Sequence, residues 1–75
     1  MQAYKDRNHE SGIRAFELGA DSITVQFKDN STYIYTSQLA GAAHLQAMKR
    51  LAENGAGLNS YINRNLSKKY LRKLL

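Results

Sequence analysis

The sequence predicts an α+β domain: a three-stranded antiparallel meander followed by two helices packed on one of its faces. Three observations predict it. Ile23, Val25 and Phe27 alternate with Thr24, Gln26 and Lys28, which gives one buried and one wet strand face. The period then changes near Ser37 to helical spacing, with Ala42, Leu45, Met48 and Ala52 on one face. Short turn signals separate the strands, so consecutive strands pair antiparallel. A three-stranded sheet has one face to bury, and two amphipathic helices cover it in a second layer.

Residues 1–11 are polar and without periodicity, and read as a flexible N-terminal arm ahead of a single domain at 12–75. The first strand, Ile13-Arg14-Ala15-Phe16-Glu17-Leu18, has Phe16 and Leu18 in phase and Ile13 out of phase. A bulge or bend near Ala15 would reconcile them. Gly19-Ala20-Asp21 is a turn signal, and Ser22–Lys28 is the second strand. Asp29-Asn30 suits a hairpin turn, because both residues tolerate positive φ. Thr32–Thr36 returns as a third strand of β-branched and aromatic residues.

Ser37 or a neighbour caps a helix running to about Asn54, and Gly55 ends it in a left-handed cap. A second helix opens near Gly57, with Leu58, Tyr61, Ile62 and Leu66 on one stripe. Tyr70 and Leu74 extend that stripe toward the C-terminus, and Ser67 is a point where the helix could restart. The predicted core is Phe16, Ile23, Val25, Phe27, Leu45, Met48, Leu58 and Ile62.

A chain of 75 residues is one domain of marginal stability. It has no cysteine, which removes disulfides and thiolate ligands and fits a reducing, cytoplasmic setting. The opening residues carry no apolar signal-peptide core, and no run is long enough to span a bilayer. The catalytic classes lack their groups. The two histidines, His9 and His44, are too few and too far apart for a zinc site, so neither metal nor cofactor is expected. Gly55-Ala56-Gly57 lacks the spacing of a phosphate-binding loop and has no strand feeding it. The expectation is a protein that is not an enzyme.

Charge is divided unevenly along the chain. Residues 1–48 carry Lys5, Arg7, Arg14 and Lys28 against Asp6, Glu10, Glu17, Asp21 and Asp29, a net −1. Residues 49–75 carry Lys49, Arg50, Arg64, Lys68, Lys69, Arg72 and Lys73 against Glu53 alone, a net +6. A basic back half points to a polyanion such as RNA or DNA, although a solvated helix face would look the same. On a continuous helix, Arg64, Lys68 and Arg72 form one stripe at i, i+4 and i+8 that can track phosphates. Lys69 and Lys73 add charge beside it, and Tyr70 adds an aromatic ring. Tyr33 and Tyr35 share a strand face. They either stack on bases or pack beneath the helices with their hydroxyls at the edge. A rival reading is a protein-interaction or homodimerisation module, using the third strand as a sheet edge or Leu71, Leu74 and Leu75 as an apolar patch.

The ordered combination of Tyr33-Ile34-Tyr35, a helix, and Tyr61-Ile62-Asn63-Arg64-Asn65-Leu66 resembles the KTSC domain. Ser11-Gly12-Ile13 and Thr24-Val25-Gln26-Phe27 look like that family's start, so the resemblance covers about residues 11–70. The family is named for an extension at the C-terminus of some lysyl-tRNA synthetases and also occurs as free-standing bacterial proteins. The resemblance implies an RNA-binding role and carries over Tyr33, Tyr35, Asn63 and Arg64 by position. This chain departs from the family in lacking a proline-containing start to the first helix and in adding a tail beyond Tyr70.

Overall fold

A computed structural model describes residues 1–5, 12–66 and, for the backbone alone, 72–73. The element order is β1 (Gln2–Ala3), β2 (Ile13–Leu18), β3 (Ser22–Phe27), β4 (Thr32–Thr36), α1 (Ser37–Ala40), α2 (Ala42–Asn54), α3 (Leu58–Asn65) and β5 (Arg72–Lys73). The class is α+β, with helices against one antiparallel sheet. The sheet has five strands in the order β1-β2-β3-β4-β5, a complete meander in which every pair is antiparallel. The expected three strands are its middle. Two-residue strands close both edges, and such short pairings leave no periodic signal in the sequence.

The local devices in the strands are the ones their residues dictate. Ile13 pairs with Phe27 and Ala15 with Gln26, so Arg14 is the extra residue of a bulge. That bulge brings Ile13 back into phase with Phe16, and both are buried. At the β3–β4 hairpin Asn30 takes φ 72° and donates to the Phe27 carbonyl at 2.9 Å. The Asp29 carboxylate accepts from both the backbone N–H and the hydroxyl of Ser31, which fixes the turn.

The helical half differs from expectation at two points. A single helix from Ser37 to Asn54 is replaced by two, because Gly41 sits at φ 97°, ψ 141°, a conformation only glycine adopts cheaply. Thr36 supplies the N-cap of α1, its hydroxyl accepting from Leu39 N–H at 3.3 Å. Gly55 ends α2 as predicted, at φ 81°, with its N–H donating to Leu51. The continuation of α3 to the C-terminus does not occur. The helix stops at Asn65, and Leu66 leaves helical geometry at φ −136° with its side chain fully buried.

The N-terminal residues also differ. Gln2 and Ala3 pair with Phe16 and Ala15, so residues 2–4 belong to the fold rather than to a loose arm. Tyr4 is 6% exposed and packs edge-on against Phe16. Its hydroxyl accepts from Leu58 N–H at 3.3 Å, in the first turn of α3. The remainder of the expected arm, 6–11, lies outside the described residues.

Of the predicted core, Phe16, Ile23, Val25, Leu45, Met48, Leu58 and Ile62 are buried, and Phe27 packs against them half-buried. Tyr4, Ile13, Tyr35, Ala40, Ala52 and Leu66 complete the cluster. No helix among the described residues is long and apolar enough to cross a membrane.

Candidate nucleic-acid interface

The fold separates the residues that the sequence placed together. Tyr35 lies opposite Ile23 and Tyr33 opposite Val25, so both tyrosines stand over the apolar face of β3. Tyr35 is 2% exposed and offers no ring face to a ligand. The stacking role for Tyr35 is therefore set aside, because the helices need that side of β4 covered. Tyr33 is half-buried, with its ring edge-on to Phe27 at 5.5 Å.

The basic stripe expected at Arg64, Lys68 and Arg72 is also overturned, since it required one continuous helix. Arg64 is exposed on the last turn of α3, beside exposed Asn63. Arg72 and Lys73 instead belong to β5, where the backbone register sets them against Ile34 and Tyr33. Lys68, Lys69 and Tyr70 lie outside the described residues, as do Leu71, Leu74 and Leu75. The described parts of the basic segment thus lie at the end of α3 and beside β4.

Two further cations belong to α2 and differ in their engagement. Lys49 reaches the β2–β3 turn and donates to the carbonyls of Gly19 at 2.8 Å and Ala20 at 3.1 Å. Its charge is partly committed to holding that turn on the helix. Arg50 is exposed, and neither it nor Arg64 has a carboxylate partner among the described residues.

A groove of about 480 Å³ runs along α3 and is lined by Leu51, Gly57, Ser60, Tyr61, Arg64 and Asn65. Among the described residues its lining has one guanidinium, one amide, a serine hydroxyl and an aromatic ring, and no carboxylate. Gly57 takes φ 85° at one end of the groove, where a Cβ would make only ordinary contact with Leu51 at 3.5 Å. The Tyr61 hydroxyl is hydrogen-bonded to His44 Nδ1 at 2.6 Å, which fixes the ring between α2 and α3. The Asn65 amide donates back to the Tyr61 carbonyl at 3.1 Å, closing the last turn of the helix. A second groove, lined by Asp21, Ser22, Thr36, Ser37 and Gln38, carries a carboxylate and, among the described residues, no cation, which disfavours an anion.

The sequence did not reveal the His44–Tyr61 pair. The two residues are 17 positions apart and meet only because the α2–α3 turn folds one helix on the other. His44 faces a phenol here, and no group of three or more potential metal ligands occurs among the described residues. No family model, no curated protein and no solved structure matches this chain.

Proposed function

We propose that this chain is a non-enzymatic module that binds RNA or DNA through phosphate contacts, with low sequence specificity. The observation that carries the reading is the division of charge. Residues 49–75 hold seven cations against Glu53, while the preceding part is close to neutral. Backbone placement adds to it, because the cationic segment starts at exposed Arg64 and returns at Arg72-Lys73 along the sheet edge. Polyanions are attracted to such a concentration of fixed charge whatever their sequence. Nothing described here resembles a helix carrying several base-reading side chains into a groove, so discrimination between sequences should be weak. The resemblance of Tyr33-Ile34-Tyr35 and Tyr61–Leu66 to KTSC motifs favours the RNA version and the assignment of Asn63 and Arg64 to the contact surface.

The rival reading, self-association through the third predicted strand, ranks lower. That strand is β4, and β5 already pairs with it at Tyr33 and Ile34. A strand whose outer edge is already partly paired is a poorer template for another chain.

The test is the salt dependence of binding to a single-stranded oligonucleotide. With roughly four phosphates neutralised, log K should fall against log salt with a slope of about −3. Measurable binding whose affinity does not change between roughly 50 mM and 200 mM salt would remove the phosphate-contact reading.

A further inference from the structure

We infer that the α3 groove seats one nucleotide of a single strand, with its phosphate on Arg64 and its base against the Tyr61 ring. The inference rests on the nucleic-acid reading above and adds a location and a preference for unpaired bases.

Four features of the groove argue for it. Its charge is complementary to a phosphate, since among the described residues Arg64 is its sole ionised side chain and no carboxylate lines it. A guanidinium pairs with phosphate oxygens through two parallel N–H donors. Its volume, about 480 Å³, is in the range of sites that take small ligands. The Tyr61 ring is oriented in advance by its bond to His44, so stacking a base on it orders no further side chain. Ser60 and Asn65 supply neutral donors and acceptors at the wall, which suit a sugar or a base edge without selecting one base.

Spacing supports the same picture. Tyr61 and Arg64 are three positions apart on α3, so they stand side by side on one helix face. A base on the first and its own phosphate on the second are neighbouring groups of one nucleotide. In a duplex the bases are stacked inside the helix and cannot reach the ring. The groove therefore favours single strands, as aromatic platforms do in general.

The experiment uses the full chain and a fluorescently labelled oligouridine of roughly ten nucleotides, followed by anisotropy at about 50 mM salt. A duplex containing the same strand is the second probe. Arg64→Ala is compared with Arg50→Ala, which removes the same charge outside the groove. Arg64→Ala should weaken single-strand binding by about tenfold more than Arg50→Ala does. Tyr61→Phe keeps the ring and should bind within about threefold of the parent, whereas Tyr61→Leu should lose about tenfold. Circular dichroism confirms that each variant is folded. If Tyr61→Leu does not fold, amide chemical-shift changes at residues 60–65 on adding the oligonucleotide to the parent protein decide the location.

The outcomes separate the two readings. If Arg64→Ala and Arg50→Ala weaken binding equally, the groove is not the site and general electrostatic binding stands. Equal affinity for single strand and duplex overturns base stacking in the same way. If the parent chain binds neither probe at low salt, the nucleic-acid reading falls and the groove assignment falls with it.

Discussion

Replacing Tyr4 by phenylalanine removes one oxygen atom from a contact between the first strand and the third helix. The Tyr4 hydroxyl accepts from Leu58 N–H at 3.3 Å in a buried setting. Leu58 is the first residue of α3, so its N–H has no partner within the helix. Losing the acceptor leaves that donor unsatisfied and costs about 1 kcal/mol, the low end of the usual range because the bond is long. Tyr4→Ala goes further. It deletes a ring that is 6% exposed and packed edge-on to Phe16 at 6.5 Å. Removing a buried aromatic ring costs about 3–5 kcal/mol. Small domains have only about 5–15 kcal/mol in total, and a chain of this size lies near the bottom of that range. Urea denaturation followed by circular dichroism should show Tyr4→Phe with a modestly lower midpoint and Tyr4→Ala at the edge of folding. The slope m should be unchanged in the phenylalanine variant. A Tyr4→Ala protein with the parent midpoint would show that β1 and Tyr4 contribute nothing to the fold, and the packing argument would fail.

Two other substitutions test the helical layer. Gly55 takes φ 81°, and a Cβ there would lie 2.6 Å from the Lys5 Cβ, so Gly55→Ala combines left-handed strain with a collision. It should lower stability by about 1–2 kcal/mol or more in the same urea assay, and an unchanged midpoint would contradict the cap geometry. The His44–Tyr61 bond is measured by a double-mutant cycle with His44→Ala and Tyr61→Phe. A coupling of about 0.5–1.5 kcal/mol is expected, and strict additivity would mean that the two side chains do not meet in solution.

Where an element depended on neighbours in the chain, its residues announced it. Asn30 takes the positive φ of the hairpin, and Gly55 takes the left-handed cap. The phase error at Ile13 was resolved by a bulge at Arg14. The alternation of Ile23, Val25 and Phe27 located the buried sheet face, with Phe27 at its half-covered margin. Each of these rests on steric limits or periodicities that act over a few residues. Gly41 is the instructive exception. A glycine within a helical pattern is compatible with continuation or with a break, and its neighbours do not decide between them.

The candidate site was less legible. The sequence identified Arg64 but tied it to a helical stripe with Lys68 and Arg72 that the fold does not form, and Asn63 came only from the family resemblance. Leu66, Tyr70 and Leu74 keep the i+4 spacing of a helix, so local pattern favours continuing it. Leu66 instead ends it with a side chain sealed in the core. Likewise, the pair Tyr33 and Tyr35 looked equivalent by spacing. Burial distinguishes them, because Tyr35 faces the centre of the helical layer and Tyr33 its margin.

By itself the sequence determined the α+β class, the meander of its central strands, most of the core and the concentration of positive charge after residue 48. Only the tertiary structure decided that Tyr4 is an interior residue, that β1 and β5 close the sheet, and that Tyr61 is held by His44 beside Arg64. These are contacts between segments distant along the chain. Their free energy comes from surfaces that exist only once both partners are folded, so no window of neighbouring residues encodes them.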